Sequence, residues 1–308
     1  MNTDSFTIRP IAYVRSDYNE KFGIPRQAGL APDLEQAIVF TPEFSNIDAV
    51  RGLEDFSRIW LIWGFSMNAV DMTEDQVRWR PTVRPPRLKG KTRKGVWATR
   101  SPYRPNSLGL SNVRLLRIML GDRVLYDARD EYEEQDRVIA AGYQGGNSTN
   151  YSCADTAAGK PASAGADVPE DRRFEYVQDP DRLSGMTSEE LVLIVCGADM
   201  MDGTPVYDIK PYVPYSDSHP GASRGYTAVK DELLFVDFPE DLLERIAPDK
   251  RKGLIRVLEL DPRGAYEKKD GYRYGLSFAD KDIRFTVTGD RLTVTDVVDI
   301  NGDYTDGK

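Results

Sequence analysis

Short apolar runs, separated by turns rich in Gly and Pro, make up the hydrophobic pattern of the first two-thirds of the chain. Residues 34–40, 58–67 and 191–197 are runs of strand length that predict buried β-strands. An opening strand is predicted from Phe6 to Val14, and a short helix over 47–56. Because long helices do not alternate with these strands, the pattern favours an antiparallel β-barrel with loops over one mouth, and not a doubly wound parallel sheet.

The pattern changes after residue 225, where some apolar side chains recur at helical spacing. The elements predicted there are two helices, at 239–247 and 252–260, and four strands, at 232–238, 272–278, 283–288 and 292–298. The two patterns together predict a mainly β plus α+β fold. An antiparallel β-barrel domain is expected over 1–226, and a small α+β C-terminal domain over 227–308.

A stretch at about 121–188 interrupts the strand pattern of the first domain. It is poor in large apolar residues and rich in small and acidic ones, as in ADTAAGKPASAGADVPED. Such a composition buries too little apolar surface to fold by itself, so we expect a mobile insertion and assign it no chemistry.

One strand–loop–strand segment, GVWATRSPYRPNSLGLSN at 95–112, concentrates hydrogen-bond donors. The run VWA at 96–98 predicts a short buried strand, and the residues from 108 onward predict a returning strand. Two prolines between them fix φ, so the loop presents Arg100 and Arg104 at a fixed geometry. Taken alone, these residues also fit a proline-rich surface turn with solvated arginines.

This segment closely resembles the ATRSPFRPNPIGLS signature of the TsaA-like family, also called the TrmO family. Members are described as S-adenosylmethionine-dependent methyltransferases that methylate N6 of threonylcarbamoyladenosine at position 37 of tRNA. A match of this length is far more specific than a glycine fingerprint. The chain departs from the signature at Ser107, where the family usually has Pro; this frees one φ and removes no donor.

Further segments resemble the family: EKFGIPRQAGL at 20–30, RIWLIWGFSM at 58–67, WRPTVRPPRL at 79–88, DMMDGTPVYDIKPYVPY at 199–215 and DPRGAY at 261–266. The resemblance implies that S-adenosylmethionine is bound by Pro25, Arg26, Gln27, Ser66, Met67, Arg100, Leu110, Asp202, Gly203, Thr204 and Pro205. Ser66 and Met67 replace a His and a Gln of the family, so a histidine base at this point is excluded for this chain.

The resemblance also indicates an RNA surface. The Pro-rich segment 79–88 is expected to be extended and stiff, with arginines that pair with phosphate; a structural linker across the barrel fits it as well. Substrate binding is expected from Arg84, Arg87, Arg104, Asn106, Lys210 and Tyr212. If the RNA docks elsewhere, the C-terminal domain around Arg263 and Arg273 is the alternative.

Methylation of a weakly nucleophilic N6 calls for a general base. Asp208 and Tyr103 are the candidates, because they lie close to the motifs in sequence. Strand alternation over 206–210 puts Asp208 and Lys210 on one face. A simple ion pair without a catalytic role explains these two residues nearly as well.

The distribution of charge bears on the partner. The 308-residue chain has a formal charge of −9, which argues weakly against nucleic acid. From Arg78 to Arg123, however, there are thirteen Lys or Arg and one acid, Asp122. Such a stripe is typical of a face that meets phosphate, although a solvated basic loop is equally consistent with the charge alone.

Composition limits the remaining properties. No apolar run approaches the ~20 residues of a membrane span, the N-terminus lacks a signal-peptide pattern, and no zinc-ligand spacing occurs. Two cysteines, Cys153 and Cys196, do not make a disulfide framework, and Cys196 is expected in the core. We therefore expect a cytoplasmic protein that binds neither metal nor membrane, and the family resemblance implies tRNA as its partner. The resemblance further implies a homodimer.

Two other classes of function remain open: a non-catalytic RNA-binding barrel, and a structural barrel whose insertion binds a partner. The co-occurrence of the PRQ, ATRSPYRPN and DGTP motifs favours the methyltransferase, because only a cofactor site needs all three. We expect Pro25–Gln27, Arg100 and Asp202–Pro205 to converge on one pocket.

Overall fold

The computed structural model describes residues 7–65, 79–88, 92–128, 190–228, 232–264 and 268–300. The strands of its first part are β1 (Ala12–Arg15), β2 (Glu35–Phe40), β3 (Arg58–Gly64), β4 (Thr82–Val83), β5 (Lys94–Gly95), β6 (Leu108–Leu120), β7 (Arg123–Asp127), β8 (Leu191–Cys196) and β9 (Pro205–Pro211). The predictions that concern Ser66, Met67, Cys153 and most of the 121–188 insertion lie outside the described residues.

Six of these strands form a closed antiparallel barrel. Their order is β3-β9-β1-β2-β8-β6, and the barrel closes because β6 also pairs with β3. The first half of β6 pairs with β3, and its second half pairs with β7 on one edge and β8 on the other. The antiparallel barrel predicted from the short apolar runs is therefore confirmed.

Strand alternation fills the barrel with apolar side chains. Ile59, Leu61 and Trp63 of β3 are buried in the barrel core, whereas Trp60 and Ile62 between them lie on the outer wall. The strands β1, β2, β6, β8 and β9 contribute most of the rest of this core, together with Val50, Ala198 and Met200 from the connecting segments. The expectation that Cys196 is buried at the end of β8 is also confirmed.

Two predicted elements of the barrel domain were wrong. The VWA run at 96–98 forms a 3₁₀ turn, because β5 ends at Gly95 and pairs only with the two-residue strand β4. The predicted helix at 47–56 is divided into two 3₁₀ turns, Ile47–Val50 and Leu53–Asp55. Gly52 lies between them with a φ of +83°, a conformation that cannot continue a right-handed helix.

The C-terminal part is an α+β unit, as predicted. Its elements are β10 (Phe235–Asp237), α2 (Glu240–Leu243), α3 (Pro248–Glu259), β11 (Arg273–Phe278), β12 (Lys281–Thr288) and β13 (Arg291–Asp299), and the short α1 (Pro214–Asp217) precedes them. The sheet order is β10-β13-β12-β11, with β10 parallel to β13. Leu254 and Leu258 of α3 share one core with Phe285 and Leu292 of the sheet. Within the described ranges, no helix is long and apolar enough to cross a membrane.

The long loop from 16 to 34 belongs structurally to both domains. Tyr18 pairs its backbone and packs its ring against Phe278 of β11, with the ring centroids 6.2 Å apart. Leu34 lies in the same C-terminal core. Lys250 of α3 forms an ion pair with Asp17. The loop that carries the PRQ motif is therefore held in place by the C-terminal domain.

Candidate active site

Two of the predicted cofactor motifs meet through their side chains. Nη1 of Arg100, in the loop between β5 and β6, donates a hydrogen bond of 2.6 Å to Oε1 of Gln27 in the 16–34 loop. Gln27 also donates from Nε2 to the carbonyl of Arg26. Pro25 is buried, while the side chains of Arg26 and Arg100 are exposed. Pro25 therefore packs in the interior, while the side-chain amide of Gln27 faces Arg100.

A third segment joins this pair at Asp199, directly after β8. Its carboxylate accepts a hydrogen bond of 2.5 Å from Ser111 Oγ, and Ser111 Oγ accepts one of 2.9 Å from Trp63 Nε1. The backbone N–H of Ala28 also donates to Asp199, and the guanidinium of Arg100 is close enough to stabilise its charge. Two barrel strands and two loops therefore converge on one carboxylate.

Burial dominates the electrostatics of Asp199. It raises the pKa of the carboxyl above its ordinary value of 3.8, while the hydrogen bond from Ser111, the charge of Arg100 and the N–H of Ala28 act in the opposite direction. A carboxyl with a raised pKa beside an exposed cation is typical of functional sites. Our sequence interpretation missed Asp199 because it concentrated on DGTP; the available signal was its position at the start of the DMMDGTP motif.

The DGTP residues build the turn that carries Asp199. Oδ1 of Asp202 accepts a hydrogen bond of 3.1 Å from the N–H of Ser16, and Oδ2 lies 3.6 Å from Nη1 of Arg15. Thr204 is buried and donates its hydroxyl to the carbonyl of Met201 at 2.7 Å. Gly203 and Pro205 complete the turn, which runs beside β1 into β9. Within this segment, Asp199 is the residue that lies close to Arg100. The Asp202 carboxylate instead contacts Arg15 and Ser16 at the end of β1.

Other predicted site residues lie on the outer wall of the barrel. Leu110 of β6 and Asp208 of β9 both pair with Ile62 of β3, so these three side chains form one cross-strand row. Oδ2 of Asp208 lies 3.0 Å from Nζ of Lys210, which confirms that the two share a face. Tyr212 follows directly after β9, with its ring centroid 6.0 Å from that of the β3 residue Trp60. This row is separated from Asp199 by the thickness of the barrel wall, because Ser111 points inward.

The arginines predicted to bind RNA lie on the β4–β5 hairpin and in the 100–107 loop. Arg84 is exposed. Arg87 donates from Nη1 to the carbonyl of Thr227 at 2.9 Å, so it also ties the hairpin to the 225–228 turn. Arg104 is half-buried and donates to the carbonyl of Thr99 at 3.1 Å. Asn106 is exposed beside it.

Tyr103, a candidate base, belongs to this same surface. The guanidinium of Arg80 lies 4.6 Å from the centroid of its ring, and the backbone N–H of Arg80 donates to the Tyr103 carbonyl at 3.0 Å. These contacts join the segment before β4 to the 100–107 loop. We call the segment 79–88 and the run 94–107, from β5 through the 100–107 loop, the basic surface. The contacts described here for Tyr103 lie within it.

The two arginines of the alternative RNA surface differ in their exposure. Arg263 is 8% exposed, and its Nε and Nη2 donate to the two carboxylate oxygens of Asp261 at 2.7 and 3.1 Å. Arg273 is exposed but lies 3.6 Å from Asp296. Arg263 therefore serves the packing of the C-terminal domain and presents no cation to solvent.

The groups gathered around Asp199 fit the chemistry of S-adenosylmethionine. The cofactor carries a carboxylate, which pairs with a guanidinium such as that of Arg100. It also carries cationic and N–H groups, which need acceptors such as the Gln27 amide oxygen. No group of three His, Cys, Asp or Glu among the described residues is arranged to hold a metal ion.

Two protein-family models match this chain. The model of the tRNA-methyltransferase O N-terminal domain matches residues 13–132 and 182–218, and that of the TrmO C-terminal domain matches residues 232–300. The chain therefore belongs to the tRNA-methyltransferase O family. The family resemblance drawn from the sequence motifs is confirmed.

Individual relatives match over almost the whole chain. The chain is 31% identical over 293 residues to the tRNA (adenine(37)-N6)-methyltransferase of Escherichia coli strain K12, which covers 92% of this chain and 94% of that protein. It is 30% identical over 287 residues to a Pseudomonas aeruginosa protein provisionally named as an S-adenosylmethionine-dependent methyltransferase, RcsF, with 91% of each chain covered. A crystal structure of TrmO from Pseudomonas aeruginosa superposes with a TM-score of 0.56 at 25% identity, covering 96% of this chain and 99% of that chain.

Proposed function

We propose that this protein transfers the methyl group of S-adenosylmethionine to N6 of adenine 37 in tRNA, and that this adenine carries a threonylcarbamoyl group. The convergence of three distant segments at Gln27, Arg100 and Asp199 carries the proposal, because it places a cation and two acceptors beside a basic surface. The names of the relatives from Escherichia coli and Pseudomonas aeruginosa support adenine 37 and S-adenosylmethionine.

The cofactor supplies an electrophilic methyl group, so the protein has mainly to position the reactants and exclude water. In this proposal Arg100 pairs with the cofactor carboxylate, and Gln27 orients Arg100 through their 2.6 Å hydrogen bond. The remaining residues proposed to line the cofactor site are Pro25, Arg26, Ser66, Met67, Asp202, Gly203, Thr204 and Pro205. Leu110 is the exception among the residues expected from the sequence, because its side chain lies on the outer wall of the barrel, away from Asp199. The hydrogen bonds of Asp202 and Thr204 indicate that these two act by shaping the turn.

A base must accept the proton of N6 when the new N–C bond forms. The geometry favours Asp199 over the two candidates proposed from the sequence. Asp208 is engaged by Lys210, and Tyr103 lies beneath Arg80 on the basic surface. Asp199 instead has a raised pKa and lies beside Arg100. A carboxylate of higher pKa is a stronger proton acceptor once it is ionised.

The tRNA is proposed to dock on the β4–β5 hairpin and the 100–107 loop. The residues proposed to contact it are Arg84, Arg87, Arg104 and Asn106, with Lys210 and Tyr212 on the neighbouring wall. The exposed guanidinium of Arg84 is best placed for phosphate, because the Arg87 side chain is shared with Thr227. Replacing Arg84 with Ala is expected to weaken tRNA binding and to lower the slope of log affinity against log salt by about one.

We further infer that the protein acts as a homodimer in the cytoplasm, where its proposed substrate is found. The outer wall of β3 and β6 supports the dimer, because Leu110 is 51% exposed beside the partly exposed Trp60 and Ile62. A twofold interface buries such an apolar strip against its own copy. Light scattering at micromolar concentration should show a dimer that Leu110→Glu converts to monomer; a monomeric wild type contradicts the inference.

The test of the function is a methyl-transfer assay with the full chain and S-adenosylmethionine labelled in the methyl group. Two tRNA substrates are compared: tRNA with threonylcarbamoyladenosine at position 37, and an unmodified transcript of the same sequence. We expect label in the first tRNA only, on a digested nucleoside heavier by one methyl group.

Other results of this assay would contradict parts of the proposal. Equal labelling of both tRNAs contradicts the threonylcarbamoyl preference and leaves adenine 37 as the substrate. Binding of tRNA without calorimetric binding of S-adenosylmethionine identifies the non-catalytic RNA-binding barrel. Asp199→Asn should lower the methyl-transfer rate by about 10²–10⁴-fold while leaving tRNA binding intact.

A further inference from the structure

Two tryptophans of the basic surface are exposed and stacked on each other. Trp97 is 69% exposed and Trp79 is 44% exposed. Their ring centroids lie 6.0 Å apart and their planes make an angle of 18°. A large ring normally contributes to stability by being buried, so an exposed pair of this kind marks a site of interaction.

The fold enforces this exposure. The backbone N–H of Val96 donates to the carbonyl of Pro81 at 3.0 Å, so the β4–β5 pairing extends one step and brings the flanking tryptophans together. Val96 and Thr99 are buried on the inner side of the 3₁₀ turn, which directs Trp97 outward between them. The Thr99 hydroxyl fixes the turn through a 2.9 Å hydrogen bond to the Val96 carbonyl.

Arginines interleave with the rings. The guanidinium of Arg104 lies 5.9 Å from the Trp97 ring centroid, and that of Arg80 lies 4.6 Å from the Tyr103 ring centroid. The described ranges 79–88 and 92–104 contain seven Lys or Arg and no Asp or Glu. We call Trp79, Trp97, Tyr103, Arg80 and Arg104 the aromatic platform.

We propose that the aromatic platform binds single-stranded RNA, with an unpaired base of the tRNA extending the Trp79–Trp97 stack and the neighbouring arginines pairing with its phosphates. Aromatic faces combined with cations are the chemistry that recognises unpaired nucleotides. A duplex offers no free base face, so the platform distinguishes an RNA loop from an RNA stem. This inference rests on the proposed function for the identity of the RNA.

A second copy of this chain is a poorer occupant of the same surface. A twofold interface sets each patch against itself, which brings Arg80 and Arg104 of one copy toward the same arginines of the other. Like charges brought together across an interface lower affinity. The charge of the surface therefore favours a polyanion.

The test compares Trp97→Ala with Trp97→Phe, which keeps a stacking face. Binding is measured with an RNA hairpin that corresponds to the tRNA anticodon arm and with a fully paired duplex of the same composition. We expect Trp97→Ala to weaken hairpin binding at least about fivefold, and Trp97→Phe to restore most of it. Phe235→Ala, which removes an aromatic ring 66% exposed on the C-terminal domain, should leave binding unchanged.

Two further readouts separate stacking from other effects. The salt slope of hairpin binding should stay the same in Trp97→Ala, because no charge is removed. An abasic site at the stacked position should weaken wild-type binding and leave Trp97→Ala unaffected, whereas the same substitution at other loop positions should not show this coupling.

The outcomes also distinguish this inference from the proposed function. If wild type methylates tRNA while Trp97→Ala binds the hairpin normally, or loses hairpin and duplex binding equally, the platform is wrong and the function stands. If wild type binds the hairpin with the expected tryptophan coupling but transfers no methyl group, the function is wrong and the platform stands. S-Adenosylmethionine affinity should be equal in all variants, which excludes misfolding.

Discussion

Arg100 and Gln27 lie 73 residues apart in sequence, yet Nη1 of Arg100 donates to Oε1 of Gln27 over 2.6 Å. The hydrogen bond joins the loop between β5 and β6 to a loop that the C-terminal domain holds. Gln27 therefore links the residues proposed to bind the cofactor to the packing between the barrel and the C-terminal domain.

Replacing Arg100 with Ala should weaken S-adenosylmethionine binding by about 10- to 100-fold, because a charge-assisted hydrogen bond contributes about 1.5–3 kcal/mol. Isothermal titration calorimetry measures the effect. Arg93→Ala is the matched control, since Arg93 donates to Thr82 Oγ1 at 2.9 Å within the β4–β5 hairpin. Equal affinities of the two variants would remove Arg100 from the cofactor site.

Replacing Asp199 with Asn should stabilise the protein at neutral pH while it lowers activity. The folded-state pKa of Asp199 is raised above 3.8, so ionisation disfavours the folded state as the pH rises through that pKa. Well below pH 3.8 the carboxyl is protonated in both states, and Asn brings no advantage. The melting temperature of Asp199→Asn should therefore exceed that of wild type at pH 7 and match it in acid.

The variant Ser111→Ala tests whether Asp199 is the proton acceptor of the reaction. Ser111→Ala keeps the carboxylate but removes the hydrogen bond that lowers its pKa, so the rising limb of the pH–rate profile should move to higher pH. A pH–rate profile that does not move in Ser111→Ala would show that Asp199 is not the proton acceptor.

Gly23→Ala should impair cofactor binding by disturbing the contact between the 16–34 loop and the C-terminal domain. Gly23 has a φ of +83°, and an added Cβ would collide with Leu276 of β11, which supports the PRQ loop. Gly52→Ala is a matched control with the same φ and open space around it, so it adds only backbone strain of about 1 kcal/mol. We expect reduced affinity for S-adenosylmethionine in Gly23→Ala and wild-type affinity in Gly52→Ala. The reverse pattern would contradict a supporting role of the C-terminal domain.

Arg263→Leu should destabilise the C-terminal domain by about 3–5 kcal/mol, because it leaves the buried Asp261 carboxylate with one partner fewer. Burial acts to raise the pKa of Asp261, but hydrogen bonds from Arg263 and Lys268 outweigh it and lower the pKa. The contribution of the pair is therefore present above about pH 4 and is lost as the pH falls through the folded-state pKa.

Denaturant unfolding at neutral and acidic pH measures how much stability Arg263→Leu loses at each pH. Arg273→Ala is the control, since its exposed ion pair with Asp296 is worth at most about 1 kcal/mol. If the two variants are equally stable at pH 7, the buried pair does not hold the domain together.

The motifs by themselves identified the family, and the spacing of apolar runs identified the barrel and the α+β domain. Both are local properties: a strand shows its period along the chain, and a Pro-rich loop shows its stiffness. The face shared by Asp208 and Lys210 followed from the same period and is confirmed by their 3.0 Å separation. The sequence could not show that VWA at 96–98 lacks a strand partner, because pairing is decided by another segment.

Only the tertiary structure singled out Asp199 and the aromatic platform. The chain shows only that Asp199 begins the DMMDGTP motif, and not which side chains surround it. Its raised pKa arises from burial, and its partners Ser111, Ala28 and Arg100 come from three other segments. Trp97 likewise belongs to an apolar run that predicts a buried strand, and it is exposed because Val96 and Thr99 beside it occupy the interior. Sequence therefore determined which chemical groups are available, whereas packing between distant segments decided which of them meet and which face the solvent.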